Sequence, residues 1–194
     1  MNTIDTNEPT SSISNAPSPL VKNEGIKYGL ILGGLATLIL YGTYFADINI
    51  FVNATFWSTF IPYAILILIV AGLQLRKANG GLLAYKEALQ FTFLSYAIAA
   101  VITAVATYIL FNIIDKELTE KSFEIGMQKT QQFMEKMGAK EEDIEKAMTD
   151  ARSKKQDTGF KPVFLGLGME LIFGFVKALL ISLIIRKEKP AFGA

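Results

Sequence analysis

Long apolar blocks separated by polar segments dominate the chain. Four of them have membrane-spanning length, because a helix needs about 20 residues, at a rise of about 1.5 Å each, to cross the bilayer core. The blocks show no alternation of period two, and a helix satisfies its own backbone hydrogen bonds in lipid. Each block is therefore predicted to be a transmembrane helix. The four blocks are residues 26–45, 56–75, 89–114 and 162–185.

A polar segment, residues 115–161, separates the third and fourth blocks. Apolar side chains recur in it at intervals of three or four residues, in two runs that each draw a stripe along one helix face. Gly138 separates the runs, so the segment is predicted to form a helical hairpin. The first stripe is Phe123, Met127, Thr130, Met134 and Met137, and the second is Ile144, Ala147, Met148 and Ala151.

The order of these elements predicts the fold class and the domains. The protein is expected to be all-α, a four-helix transmembrane bundle with an extramembrane helical hairpin between helices three and four. Residues 1–22 are rich in Ser, Thr, Asn and Pro and are predicted to form a disordered tail. The membrane domain then covers residues 23–188, and residues 189–194 form a short C-terminal tail.

Basic residues in the short connections predict the orientation in the membrane. Lys and Arg concentrate in short cytoplasmic loops. They are absent from residues 46–55 and present in residues 76–88 and after residue 185. Both termini are therefore expected to be cytoplasmic and the hairpin extracytoplasmic. The segment 115–161 carries 10 basic and 11 acidic residues, so its own charge is nearly balanced.

Composition narrows the range of functions mainly by exclusion. The chain contains no cysteine and no histidine, which removes disulfides, thiolate or imidazole metal ligands, and catalysis by Cys–His or Ser–His pairs. The net charge of +1 offers no strong field for nucleic acid. We therefore expect no enzyme, no catalytic residues, no cofactor and no metal. The expected partners are the lipid bilayer and a protein, either a different one or a second copy.

Two ionisable residues, Glu170 and Lys177, lie inside the fourth block. Charged groups at membrane depth are costly and mark candidate functional sites. In one interpretation the pair lines a polar cleft, with Glu170 as a proton or cation site and Lys177 as its counter-charge. In the other, Lys177 extends to the cytoplasmic interface and Glu170 bonds a neighbouring hydroxyl group. A direct bridge is expected to be marginal, since two helical turns separate the Cα atoms by about 10.5 Å.

Small residues form ridges on the first and fourth helices. Such ridges let another helix approach closely in a membrane, so both are predicted to face protein. The ridge on the first helix is Gly25, Gly29 and Gly33, and that on the fourth follows Gly166, Glu170, Gly174, Ala178 and Ser182.

Methionines are concentrated in the predicted hairpin. Met127, Met134, Met137 and Met148 form a candidate partner surface, because methionine adapts to many shapes at binding surfaces. The same side chains equally suit packing of the two hairpin helices against each other. The pattern leaves both interpretations open.

Several short segments are the basis of a family resemblance. They are Lys27 to Gly33, Gly80-Gly81, Glu87-Ala88, Phe111 to Asp115, Met137-Gly138, Glu145 to Met148 and Gly159-Phe160. Together they resemble domain-of-unknown-function family 4199, small membrane proteins of Bacteroidetes, over about residues 22–188. The resemblance implies a four-helix, multi-pass protein of the bacterial inner membrane. It brings no established activity and no catalytic residues.

These observations favour a non-enzymatic role. The function predicted first is an integral inner-membrane interaction or assembly protein with a periplasmic helical hairpin. The alternative is a small transporter or channel-like subunit that uses the intramembrane Glu170 and Lys177.

Overall fold

The computed structural model describes residues 18–58, 62–153 and 160–188. Seven helices make up most of these described residues, which confirms the predicted all-α class. The helix α4 continues without interruption into a wider π-helical turn, Leu110–Ile114. The helices are α1 Pro19–Ala46, α2 Ile48–Ser58, α3 Tyr63–Ala78, α4 Tyr85–Ile109, α5 Leu118–Lys136, α6 Glu141–Ser153 and α7 Phe160–Ile185.

Three helices among the described residues are long and apolar enough to cross a membrane. They are α1, α4 with its π-helical continuation, and α7. Large apolar side chains such as Leu38, Leu165 and Ile172 are exposed along α1 and α7. Exposed apolar surface of this extent suits contact with lipid. The chain is therefore a membrane protein.

The second predicted span, residues 56–75, differs in the structure. Helix α2 ends at Ser58, and α3 begins at Tyr63 with Pro62 in the N-cap position. Proline lacks an amide proton and suits a helix start, so a new helix beginning beside Pro62 agrees with its chemistry. Helix α3 has 16 residues and is about 24 Å long, less than the roughly 30 Å of a bilayer core. A fourth spanning helix is thus not established.

The structure describes the end of the predicted N-terminal tail but not the predicted C-terminal tail. Helix α1 begins at Pro19 with Ser18 as its N-cap, and the Ser18 side chain accepts a hydrogen bond from the Val21 amide. The last residues of the predicted N-terminal tail therefore belong to the helix. Residues 1–17 and the predicted C-terminal tail, 189–194, lie outside the described residues.

Helix α4 is the central helix of the arrangement. It lies parallel to α1, because Gly25 is next to Leu94 and Gly33 is next to Ile102. Helices α3 and α7 run in the opposite direction. The "loop end" of the molecule therefore holds the start of α1, residues 79–84 and the end of α7. The "hairpin end" holds α2, α5 and α6.

The loop end is closed by contacts between the α3–α4 connection and the end of α7. Leu83 and Lys187 exchange two backbone hydrogen bonds, each 2.8 Å long. The Arg76 guanidinium also donates to the Ile185 carbonyl at 3.3 Å. Fully buried side chains fill the space above these contacts. They include Leu68, Phe91, Ile181 and Ile185.

Hydroxyl groups on α4 join it to both neighbouring spans. Thr92 Oγ1 lies 3.0 Å from Ser182 Oγ on α7. Ser95 Oγ donates to the Gly25 carbonyl on α1, also at 3.0 Å. All three hydroxyl side chains are fully buried, so these hydrogen bonds replace those that water would make. The bonds fix the register of α1 and α7 along α4.

The hairpin end rests on a second, smaller apolar cluster. Phe51 of α2 packs with Leu110 and Leu118, all buried. Lys129 of α5 donates to the Asn53 side chain at 2.6 Å, which connects the hairpin to α2. Gly138 lies between α5 and α6 with a φ of 77°, a conformation that favours glycine.

Candidate functional site

A cleft of about 620 Å³ opens between α1, α3, α4 and α7. Helix α3 contributes its first residues, Tyr63 to Ile65, to the lining, together with the preceding Pro62. Its walls are mostly small side chains, which keep the cleft wide. Among the lining residues are Ala36, Ala64, Ala99, Ala100, Ala104 and Gly166.

The cleft extends along the bundle towards the hairpin end. Lys177 and Tyr96 line its floor, whereas Pro62, Thr107 and Val163 line the part nearest the hairpin end. The distance from Val163 to Lys177 along α7 is about 21 Å. Below the floor, the bundle is filled by side chains that the structure shows as buried. Leu68, Ala71, Ala178, Ile181 and Ser182 are among them.

Glu170 and Lys177 meet inside this cleft. Lys177 Nζ lies 3.7 Å from Glu170 Oε1, with exposed side-chain fractions of 41% and 55% respectively. The bridge, expected to be marginal, is observed as a contact of 3.7 Å, longer than a direct charge-assisted hydrogen bond. Side chains on a helix lean towards its N-terminus, and the long lysine stem carries the ammonium group back to Glu170. The separation of the Cα atoms alone overlooked this lean.

Tyr96 forms part of the floor and was not predicted as a site residue. Its side chain is only 8% exposed, and its hydroxyl group has no hydrogen-bond partner among the described residues. The Lys177 ammonium lies 5.9 Å from the centre of the Tyr96 ring. Gly174 makes room for this ring, since a Cβ there would lie 3.5 Å from Tyr96 Cβ. On sequence alone, Tyr96 looks like an ordinary tyrosine in an apolar helix.

The two small-residue ridges both pack on α4, on different sides of it. Gly25, Gly29 and Gly33 are buried against Leu94, Ile98 and Ile102. Gly174, Ala178 and Ser182 are buried against Tyr96 and Thr92. Gly166 is exposed and lines the cleft, with no described atom within 4 Å of a Cβ built there. The ridges therefore do not face each other.

A second depression lies between the hairpin helices. The groove holds about 940 Å³ and is open along one side. Its apolar side chains are Phe123, Met127, Ile144 and Met148, and its charged ones are Glu120, Glu124, Glu141, Glu145 and Arg152. Met134 is half-buried and Met137 is 71% exposed, and neither is among the groove residues. The four methionines thus lie on more than one surface.

Charged residues fix the junction between α4 and α5. Lys121 Nζ lies 3.0 Å from Glu117 Oε2 and 4.0 Å from Asp115 Oδ1. The hydrogen bond with Glu117, helped by the negative charge of Asp115, raises the pKa of Lys121 above its usual 10.5. Lys121 is therefore positively charged at neutral pH. The Tyr44 hydroxyl donates to Asp115 Oδ2 at 3.4 Å, which connects this junction to α1.

Comparison with known proteins identifies one family model. The model, described as "Protein of unknown function (DUF4199)", matches residues 27–187. The matched region contains the cleft, the hairpin and both ridges except Gly25. No curated protein matches the chain, and no solved structure does.

Proposed function

The chain belongs to the DUF4199 family, in agreement with the segments that resemble it, and from its own geometry we propose that it is a non-enzymatic interaction or assembly protein. In this proposal, it is an integral protein of the bacterial inner membrane, and its hairpin is periplasmic. The hairpin groove binds a basic amphipathic helix of a partner protein.

The groove between α5 and α6 is the observation that supports this proposal. Four carboxylates and one guanidinium line it, so it favours a positively charged partner. Its apolar part contains Met127 and Met148, which adapt to the apolar face of a bound helix. An amphipathic helix with basic flanks satisfies both features at once.

The proposed orientation rests on the charges of the loop end. Lys22, Lys27, Arg76, Lys77 and Lys86 lie there, close to the ends of three helices. Short connections rich in Lys and Arg remain in the cytoplasm. The hairpin on the opposite end is therefore periplasmic.

Cysteine labelling will test this orientation, because the natural chain contains no cysteine. Single Met137→Cys and Glu188→Cys variants place thiols at exposed positions of the two ends. We expect a membrane-impermeant maleimide to label Met137→Cys in cells with a permeabilised outer membrane. Glu188→Cys should react only after the inner membrane is disrupted. The reverse pattern would contradict the proposed orientation.

The groove will be tested by reversing charges within it. A photocrosslinking residue in place of Met148 should yield an adduct with a basic segment of the partner in cells. The paired change Glu124→Lys and Glu145→Lys should reduce the adduct at least about fivefold, since it replaces attraction by repulsion. Adduct yield is read from immunoblots, and the crosslinked peptide is identified by mass spectrometry.

The matched control is Glu135→Lys with Asp150→Lys on the same hairpin. Both residues are exposed, and neither is among the groove residues. Lysine is also favourable in the last turn of a helix, so the control should preserve α5 and α6. Equal loss of adduct in the control and groove variants would contradict a specific groove. An adduct of two identical chains would identify a second copy as the partner.

A small transporter or channel-like subunit is the second candidate function. The cleft favours it, because Glu170 and Lys177 lie inside a cavity instead of against a packed helix. In the described conformation, the packed loop end blocks passage from the cleft beyond Lys177. Transport in this candidate therefore requires a second conformation in which α7 separates from α3.

A further inference from the structure

We propose that the cleft between α1, α3, α4 and α7 binds the zwitterionic group of a small molecule or lipid. The ligand's ammonium group pairs with Glu170, and its anionic group pairs with Lys177 and the Tyr96 hydroxyl. This site is independent of the hairpin groove, and it exists whether or not the ligand is transported.

The spacing of the ion pair is the first observation. Glu170 and Lys177 are 3.7 Å apart, longer than the roughly 2.7–2.9 Å of a direct charge-assisted hydrogen bond. Both side chains remain partly exposed and line the cleft. A zwitterion offers each of them a closer partner of opposite charge. A ligand with a single charge would leave one of the two unpaired at membrane depth.

The Tyr96 hydroxyl is the second observation. It is buried and has no hydrogen-bond partner in the described part of the chain, and the Tyr96 side chain is among those that line the cleft. Buried polar groups without partners are rare because losing water without replacement is costly. An anionic oxygen at the floor would accept a hydrogen bond from this group. Lys177 lies beside the same ring, so the anionic end of the ligand belongs at the floor.

The walls define the rest of the ligand. Ala36, Ala99, Ala100 and Ala104 are small and apolar, so an apolar body fits beside the charged groups. The two charged groups are 3.7 Å apart, so both ends of the ligand's zwitterion bind within a few ångströms of each other. Two sources share this chemistry, an ethanolamine phospholipid and a free apolar amino acid. In the phospholipid, the phosphate would take the place of the carboxylate.

Binding measurements on the purified full chain distinguish the sources. Dioleoylphosphatidylethanolamine is titrated in detergent and counted by native mass spectrometry against dioleoylphosphatidylcholine, whose quaternary ammonium cannot donate hydrogen bonds. Radiolabelled L-leucine is measured by scintillation proximity. We expect one of the two primary-ammonium probes to bind saturably, at one per chain. Absence of saturable binding by both would overturn the proposal.

Variants assign the binding to the cleft. Glu170→Gln and Lys177→Met should each weaken binding about tenfold or more, the effect of losing one charge-assisted contact of about 1.4 kcal/mol. The matched control is the ion pair of Glu24 and Lys27, 3.0 Å apart and outside the cleft lining. Glu24→Gln and Lys27→Met should leave binding unchanged. Equal effects of the cleft and control variants would overturn the proposal.

Tyr96→Phe separates binding from folding, because it removes only the hydroxyl oxygen. We expect binding to weaken about fivefold or more, while the thermal midpoint of the unliganded protein stays equal or rises. The midpoint should not fall, since the lost hydroxyl has no partner among the described residues. Unchanged binding, or weaker binding together with a lower midpoint, would contradict the role of Tyr96.

Discussion

Replacing Gly29 by leucine is expected to prevent stable packing of α1 on α4, whereas the same replacement at Gly34 is expected to be tolerated. A Cβ at Gly29 would lie 2.7 Å from Ile98 Cβ and 3.0 Å from the Ser95 carbonyl oxygen. Backbone and branched Cβ atoms cannot move aside, so the two helices must separate. A Cβ at Gly34 meets no described atom within 4 Å.

The expected loss of stability in Gly29→Leu is large, because a whole side chain must enter an interface that accepts no additional atom. Overpacking by a few methylene groups costs about 1–3 kcal/mol, so Gly29→Leu should cost at least about 3 kcal/mol. Unfolding in sodium dodecyl sulfate, followed by far-ultraviolet circular dichroism, measures the difference from wild type. Gly34→Leu should change stability by less than about 1 kcal/mol. Equal stability of the two variants would contradict the close approach of α1 and α4.

The second large effect is expected for single substitutions of the intramembrane ion pair. Glu170→Gln leaves the Lys177 ammonium without its partner, and Lys177→Met leaves the Glu170 carboxylate without its own. An isolated charge at membrane depth costs about 2.5–3.5 kcal/mol by insertion scales. Because both side chains are about half exposed in the cleft, each single change should cost about 1–2 kcal/mol.

The double variant distinguishes a pair from two independent charges. When both charges are removed, neither is left unpaired. The loss of stability in the double variant should therefore be smaller than the sum of the two single losses, by about 1 kcal/mol. The same detergent unfolding measurement applies, with the Glu24 and Lys27 variants as controls outside the cleft. Strictly additive effects would show that Glu170 and Lys177 do not stabilise each other.

Apolar block length predicted the three long helices well, because α1, α4 and α7 are continuous and uncharged over most of their length. Within residues 56–75 it does not give the start of α3 at Tyr63, since hydropathy sums residues without recording where a helix starts. Pro62 is the relevant signal, because a residue without an amide proton suits the start of a helix. The cleft lies beside this helix start, since Pro62 and Tyr63 are among its lining residues.

The glycine spacing on α1 and α7 predicted close helix packing but not the partner. Both ridges pack on α4, and this choice depends on α1 lying parallel to α4, which the order of elements does not specify. The Glu170–Lys177 bridge required the direction of the lysine side chain, not only its position. Tyr96 could not be identified, since its lack of a hydrogen-bond partner is visible only in three dimensions.

The closed loop end has a consequence for the order in which the protein assembles. The Arg76 contact with Ile185 joins residues 109 positions apart, and Thr92 contacts a carbonyl of α7 that is 86 positions away. Ribosomes add about 5–20 residues per second, so several seconds pass between synthesis of α4 and synthesis of α7. During this interval the face of α4 that carries Thr92 and Tyr96 is without its neighbour α7. The cleft and the seal beneath it are therefore complete only after α7 has been synthesised.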